Sequence, residues 1–280
     1  MNIFLAGCTQ ESILADIYQC VHAPREAIDT TGKTTLYIRT LETFQRQCGR
    51  THFPLMGLES FYYAEKSKGK QASISLYDDL IMDSGAFTFM AGADASRIAW
   101  EEYIERYAAF LRKFHIEKYL ELDIDSIVGY PRVLELRRML ERLVGRPCIP
   151  VWHKGRGLDD YLRMCDAYPY VAIGGIVVGE IRRSEYRFFP QFIHEAHARG
   201  AKVHGLGFTS LKNLPRYHFD SVDSTSWLVG MRAGYVDIFN GQTIVKTERR
   251  EGERLCDPAA TRLFCYTEWM KFQNYARTHF

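Results

Sequence analysis

Short apolar runs alternate with longer segments of helical periodicity along most of this chain. The runs are continuous and do not alternate with polar residues, as in parallel strands that helices cover on both faces. In the segments between them, apolar residues recur every three or four positions, which is typical of amphipathic helices. The predicted strands are residues 3–6, 54–58, 80–82, 119–124, 149–152, 170–173, 202–206 and 219–223, and the clearest helices are residues 101–114, 133–143, 158–167 and 185–199.

This order of elements predicts an α/β fold. Eight strands that alternate with helices favour a (β/α)8 TIM barrel in which residues 1–280 form a single domain. Residues 259–280 form one long amphipathic segment and predict a C-terminal helix. The pattern is irregular between residues 30 and 77, where an open doubly wound sheet is the alternative. No repeat, low-complexity tract or linker divides the chain.

Composition excludes several classes of protein. The chain has 280 residues, 46% of them hydrophobic, which suits a packed core. Its formal net charge of +2 gives no strong overall attraction to nucleic acid, so such binding needs a local basic surface. Seven cysteines are scattered without CxxC or CxH spacing, which predicts reduced thiols, a cytoplasmic location and no zinc. No apolar stretch approaches about 18 residues, so we expect no membrane association.

Acidic residues and glycines follow the C-terminal ends of the predicted strands. In a (β/α)8 barrel these ends meet at one face, where catalytic residues gather. A single Asp there is often only the N-cap of the next helix, but several at one face predict a site. Crowded carboxylates repel one another, which separates the pKa values of acid and base. The strand ends carry Asp83-Ser84-Gly85, Asp123 with Asp125, His153, Gly174-Gly175, Gly205-Leu206-Gly207 and Asp223.

The glycines at these strand ends have two interpretations. They fit tight turns between strand and helix, and at a barrel opening they also let a flat heterocycle lie against the backbone. Clusters of Asp and His also bind divalent metals, but no His pair here has the i, i+4 spacing of a metal motif. The sequence therefore predicts a site for a planar ligand and no metal.

Several motifs at these strand ends resemble one enzyme family. YVAIGGIVVGE at residues 170–180 closely resembles the base-binding segment GG(L/I)xxGE of the queuine/archaeosine tRNA-guanine transglycosylases. DSGAF at residues 83–87 is similar to the DSGGF motif of that family, and Leu122-Asp123 before Tyr130-Pro131 is similar to its base-recognising Asp segment. HGLG at residues 204–207 and FDSV at residues 219–222 resemble the turn and strand that bear the nucleophile. The matches keep the family's order and span roughly half of the chain, from Asp83 to Trp227.

The departures from the family pattern are also informative. The zinc motif CxCxxC…H is missing, Thr88 stands in place of a Gln, and STSW at residues 224–227 replaces an arginine-bearing loop. LESFYY at residues 58–63 and the DSTSW ending resemble the phage and bacterial branch that exchanges guanine in DNA for a 7-deazaguanine. The resemblance therefore implies a pentosyltransferase that needs no cofactor or zinc. Its partners would be DNA, with tRNA less favoured, and a free 7-deazaguanine such as preQ0. The sequence leaves a homodimer open.

The resemblance also implies roles for individual residues. A carboxylate would form a covalent nucleotide intermediate, and Asp220 and Asp223 are the two candidates. They are three apart and so face opposite sides of a strand. The family pattern FDxV favours Asp220, whereas the position at the strand end favours Asp223, which we prefer. Asp83 would be the general acid and base. The expected base-binding residues are Asp123, Asp125, Ser84, Gly85, Phe87, Gly174, Gly175, Ile176, His204 and Gly205.

Basic residues in the predicted loops after the strands are candidates for contacts with nucleic-acid phosphates. A base within a duplex is unreachable, so the target nucleotide must be flipped or single-stranded. Two alternatives remain: a transglycosylase that acts on tRNA, and a non-catalytic paralogue that binds nucleic acid beside a partner subunit. The candidate phosphate-binding residues are Lys66, Lys68, Lys70, Lys154, Arg156, Arg182 and Arg183.

Overall fold

The computed structural model describes residues 1–7, 54–90, 98–233, 235–246 and 258–280. In these ranges eight parallel strands form one sheet; numbered along the chain, they lie side by side in the order fourth, third, second, first, eighth, seventh, sixth and fifth. All eight predicted strands are confirmed, although those predicted at residues 119–124 and 149–152 are shorter. The strands are β1 (Asn2–Ala6), β2 (Met56–Ser60), β3 (Asp79–Asp83), β4 (Lys118–Tyr119), β5 (Val151–Trp152), β6 (Tyr170–Ile173), β7 (Lys202–Gly205) and β8 (Ser221–Ser224).

The two outermost strands of the sheet, β4 and β5, also meet each other. Leu120 and Ile149, which flank these strands, form a parallel bridge. The backbone N–H of Ile149 donates to the carbonyl of Tyr119 at 2.8 Å, and the N–H of Glu121 donates to the carbonyl of Ile149 at 3.2 Å. The sheet is therefore curled, and its strand order is compatible with a TIM-like barrel.

Helices cover the outer face of the sheet. The residues that the helix Trp100–Lys113 buries recur every three or four positions, and its acidic first turn and basic last turn complement the helix dipole. Gly145, at φ +82°, ends the helix Tyr130–Val144 in a left-handed cap. The helices are α1 (Phe61–Ala64), α2 (Lys68–Ser73), α3 (Ala86–Met90), α4 (Trp100–Lys113), α5 (Asp125–Val128), α6 (Tyr130–Val144), α7 (Leu158–Ala167), α8 (Phe189–Ala198), α9 (Leu214–Tyr217), α10 (Val229–Ala233) and α11 (Pro258–His279).

The apolar core is divided by the sheet. Two large clusters of buried side chains combine strand and helix residues. A third cluster has its buried members only in or next to strands, so it fills the concave side of the sheet. This inner cluster consists of Phe4, Met56, Ile81, Leu120, Ile149, Val151 and Ala172.

The predicted C-terminal helix is present as α11, and it packs against β1 and an antiparallel hairpin, β9 (Asp237–Phe239) with β10 (Ile244–Lys246). Trp269 Nε1 of the helix donates to Asp237 Oδ2 at 2.8 Å. Gln273 of the helix donates to the carbonyl of Ile3. This hairpin was not predicted from the sequence, because strands of three residues give no periodic pattern.

Two further sequence expectations concern cysteines and membranes. Cys148, Cys165 and Cys265 are buried free thiols, and the other four cysteines lie outside the described residues. Among the helices that the structure describes, none is long and apolar enough to cross a membrane. The irregular region from residue 30 to residue 77 is described only from Pro54 onward.

Candidate active site

Three predicted carboxylates come close enough to interact electrostatically. Asp83 ends β3, Asp123 follows β4 and Asp223 lies in β8. Burial raises the pKa of the Asp83 carboxyl to about 7; the N–H of Gly85, which donates to its Oδ2 at 2.8 Å, opposes this shift, and the charges of Asp123 and Asp223 add to it. A carboxyl with this pKa can both give and take a proton near neutral pH.

Asp223 is held in one orientation by the loop after β7. It is 8% exposed, and its Oδ1 accepts the backbone N–H of Gly207 at 2.6 Å. Gly207 has a φ of +68°, and a Cβ there would lie 2.2 Å from Cγ2 of Val177. A glycine is therefore needed at residue 207 for this N–H to reach Asp223.

His204 lies beneath Asp223 on the concave side of the sheet. Its side chain is fully buried, and Nδ1 is hydrogen-bonded to Ser221 Oγ, which also contacts the hydroxyl of Tyr170. Nε2 lies 3.3 Å from Asp223 Oδ1, close enough for an ion pair but without hydrogen-bond geometry. The His204 side chain, expected to bind the base, thus contacts the Asp223 carboxylate from inside the sheet.

Asp220 is separated from these carboxylates. It precedes β8, and its Oδ2 accepts the backbone N–H of Val203 at 2.8 Å. The same oxygen lies 2.8 Å from Nε2 of His197 on α8, one of the helices on the outer face of the sheet. Of the two nucleophile candidates, Asp223 is the one whose charge contributes to the raised pKa of Asp83.

His153 bridges two acidic side chains from different loops. Its Nε2 is hydrogen-bonded to Asp123 Oδ1, and its Nδ1 lies 2.7 Å from Glu180 Oε2. Burial would lower the pKa of His153, but the hydrogen bonds and charges of Asp123 and Glu180 outweigh it and raise that pKa to about 9. His153 was predicted only to lie at a strand end and Glu180 only to belong to a motif, and neither residue was given a role. They are 27 residues apart, so no local spacing indicated the pair.

The DSGAF segment lines one side of the site. Ser84 is fully buried, and its carbonyl accepts the hydroxyl of Tyr103 at 2.5 Å. Gly85 has a φ of +86°, and a Cβ there would lie 2.4 Å from Cβ of Tyr62. Phe87, by contrast, is 54% exposed and is open to stacking with a ligand.

The other predicted glycines are packed closely. A Cβ at Gly174 would lie 3.0 Å from the His153 ring, and one at Gly205 would lie 3.1 Å from Phe208 and Phe219. Gly175 has a φ of +75°. Ile176 is 8% exposed, and its side chain packs in a core cluster.

Asp125 and Arg156 form an ion pair outside the carboxylate cluster. Arg156 Nε donates to Asp125 Oδ2 at 2.6 Å, and Nη2 donates to Oδ1 at 2.5 Å. The Arg156 side chain is 3% exposed and lies over the ring of Tyr130 at 4.0 Å. Both were predicted to contact substrate, but here they contact each other.

The other predicted phosphate-binding residues differ in their surroundings. Lys66 Nζ lies 3.8 Å from the ring centroid of Tyr62. Lys154 is paired with Glu185 at 2.5 Å. Lys70 is partly buried, whereas the exposed members of the set are Lys66, Lys68, Lys154, Arg182 and Arg183.

Clusters of metal-ligating side chains and cavities are the other features that could mark a functional site. Within the described ranges, no three His, Cys, Asp or Glu residues are grouped as metal ligands. A cavity of about 900 Å³ lies at the opposite ends of β2, β3 and β4, where Met56, Asp79 and Lys118 line it. The carboxylates, not this cavity, define the candidate site.

Comparison with known proteins assigns no family to this chain. No protein-family model matches the sequence, and no curated protein matches it. A functional proposal therefore depends on the site geometry and on the short motifs that resemble the transglycosylases.

Asp83→Asn is expected to make the protein more stable than wild type at pH 8 but not at pH 4. The pKa of Asp83 is about 7 in the folded protein, whereas its usual value is 3.8. Between pH 3.8 and pH 7 the folded protein therefore keeps a proton on Asp83 that the unfolded chain has lost. Wild-type stability therefore falls across this range, and an amide has no charge to bury. We expect a gain of about 1–3 kcal/mol in the free energy of unfolding at pH 8, measured with urea. An equal gain at both pH values would contradict the shifted pKa.

Proposed function

We propose that this chain is a guanine transglycosylase with a single-domain (β/α)8 barrel, which exchanges guanine in DNA for a 7-deazaguanine base. The observation that carries the proposal is the convergence of Asp83, Asp123 and Asp223 at the C-terminal strand ends, with Asp223 fixed by the N–H of Gly207. The order of the short motifs supports the same reaction.

In the first step, a carboxylate oxygen of Asp223 attacks C1′ of the target nucleotide. The bond between C1′ and N9 breaks, its electron pair moves to the purine, and Asp83 gives its proton to the leaving base. The products are free guanine and an ester between Asp223 and C1′. The pKa of Asp83, about 7, suits this acid role.

In the second step, N9 of the 7-deazaguanine attacks the same C1′. The ester bond breaks, the Asp223 carboxylate is restored, and the proton from N9 returns to Asp83. Two inversions at C1′ give net retention. Asp83 acts as acid and then as base, so the two steps balance without a cofactor.

Base recognition falls to groups beside the reacting carboxylates. Asp123 would accept N–H groups from the pyrimidine edge that guanine and 7-deazaguanines share. Phe87 is exposed enough to stack on the base, and Ile176 would form a wall. The exposed cations Lys66, Lys68, Arg182 and Arg183 would contact phosphates of a flipped or single-stranded target.

The test of the proposal is base exchange itself. The protein is incubated with DNA that contains radiolabelled guanine and with unlabelled preQ0, and the release of acid-soluble label is measured. We expect release that depends on preQ0, with less from labelled tRNA. Release from tRNA alone would overturn the assignment to DNA, and no release from either would leave a protein that binds nucleic acid without catalysis.

A further inference from the structure

We propose that His153 is a positioning residue, whose ring joins Asp123 to Glu180 and thereby fixes Asp123 Oδ1 so that Oδ2 can accept N–H groups of the bound base. This inference rests on the proposed function and adds to it the means by which the base-reading carboxylate is oriented.

The three side chains come from three separate loops. Asp123 follows β4, His153 follows β5, and Glu180 lies in the loop after β6. The second oxygen of Glu180, Oε1, accepts the backbone N–H of Gly155 at 3.0 Å. Glu180 is therefore itself held in place, and it ties the loop after β6 to the turn after β5.

The two hydrogen bonds of the His153 ring require the ring to be positively charged. Both partners of His153 are carboxylates, which only accept hydrogen bonds when ionised, and a neutral imidazole has a single N–H. Only the doubly protonated ring can donate to Asp123 and Glu180 together. The pKa of about 9 for His153 agrees with this requirement.

The charges that act most strongly on the His153 ring are those of the two carboxylates that it contacts. Asp123 and Glu180 face it from the neighbouring loops. The adjacent Lys154 is turned to Glu185 at 2.5 Å and does not compete for these carboxylates. The His153 side chain is 16% exposed, so solvent screens the cluster only in part.

The paired glycines of the GGIVVGE segment make room for this arrangement. A Cβ at Gly174 would lie 2.8 Å from Cγ1 of Val151 as well as against the His153 ring. A Cβ at Gly175 would lie 2.4 Å from Glu180 Oε2, the atom that contacts His153. Both glycines therefore serve the His153–Glu180 pair in addition to any backbone contact with the base.

Asp123 is left with a free acceptor. In the part of the chain that the structure describes, His153 is the hydrogen-bond partner of Oδ1 and no hydrogen bond reaches Oδ2. The Asp123 side chain is 18% exposed. An oriented and accessible carboxylate oxygen fits the donor edge of a guanine-like base.

The experiment compares Glu180→Ala and Glu180→Gln with the wild type. Exchange between DNA and free guanine is measured from pH 6.5 to 9.5, with KM for the free base and kcat determined separately. Glu180→Ala releases the ring and is expected to raise KM about tenfold with kcat changed less than threefold. In Glu180→Gln, the amide can donate to Nδ1 of a neutral ring that still donates to Asp123, so KM is restored at pH 7.

The pH dependence separates positioning from a merely structural role. In the wild type, KM should rise as pH passes about 9, because the ring then loses the second N–H. Glu180→Gln should lack this rise. Ionisation of the free base changes KM equally in the wild type and in the variants. The difference in KM between wild type and Glu180→Gln at high pH therefore reports on the His153 ring. The exposed Glu135→Ala serves as the matched control and should behave like the wild type.

Two outcomes overturn different conclusions. If the wild type exchanges guanine but Glu180→Ala keeps a normal KM and pH profile in a folded protein, the positioning role of His153 is wrong while the proposed function stands. If the wild type exchanges no base at all, the proposed function fails. An NMR titration of His153 in the wild type and in Glu180→Gln then still tests the charged ring.

Discussion

Asp223→Asn is expected to abolish base exchange, with a loss in kcat of at least about 10³-fold, since the substitution removes the proposed nucleophile. The amide oxygen can still accept the Gly207 N–H, so the fold should be retained, but an amide does not form the ester at C1′. Label release from guanine-containing DNA measures the loss. A second readout is the covalent protein–DNA adduct, which should form in the wild type when the incoming base is omitted and be missing in the variant.

Asp220→Asn is the matched comparison. In the wild type, Asp220 Oδ2 accepts the backbone N–H of Val203 and contacts His197 on the outer face of the sheet, away from Asp83. We therefore expect kcat within about threefold of the wild type, with the adduct still formed and any effect confined to stability. Near-normal exchange in Asp223→Asn together with its loss in Asp220→Asn would show that the FDxV pattern, and not the position at the strand end, marks the nucleophile.

The largest loss of stability is expected for Glu121→Ala. Glu121 is fully buried, and its two oxygens accept Arg137 Nε and Nη2 at 2.5 and 2.9 Å. It also accepts the backbone N–H of Val151 at 2.7 Å, and Arg156 Nη1 lies 3.6 Å away. Removing the carboxylate leaves the charge of Arg137 buried without its partner. We expect a cost of about 3–5 kcal/mol in the free energy of unfolding, measured by urea denaturation at pH 7.

The double variant Glu121→Leu with Arg137→Leu separates the cost of an unpaired charge from the value of the pair. Burial raises the pKa of Glu121 although Arg137 opposes the shift, so the pair forms against a desolvation penalty. Replacing both partners by apolar residues should therefore recover part of the loss seen in Glu121→Ala. If the double variant is less stable than the single one, the pair contributes more than its burial costs, and the explanation by an unpaired charge is wrong.

The sequence predicted those parts of the fold that depend on periodic patterns. The eight strands were recognisable because buried parallel strands are continuous apolar runs, and α7 was predicted with its observed ends at Leu158 and Ala167. The location of Asp83, Asp123 and Asp223 followed from the rule that strand ends share one face. Asp223 was preferred to Asp220 from its position at the strand end, and the surroundings of the two side chains became visible only with the register of β8.

What the sequence could not predict is how side chains pair across loops. Arg156 looked like a phosphate contact because basic residues in loops are usually exposed, yet it is buried against Asp125. His204 and Gly205 were assigned together to the base, although the His204 side chain turns beneath Asp223. Such pairings depend on three-dimensional proximity between distant segments, for which one sequence has no local signal.

The junction between β4 and β5 links the candidate site to the local stability of the sheet. Each of these strands has two residues, and the carboxylate of Glu121 supplies Val151 with the acceptor that a longer neighbouring strand would provide from its backbone. Amides at this junction should therefore exchange with solvent through smaller opening motions than those of β1 and β8. Asp123 lies on one side of the junction and His153 on the other. Local opening at this junction would separate Asp123 from His153 before the rest of the sheet unfolds. The candidate site would therefore lose its arrangement under milder conditions than those that unfold the protein.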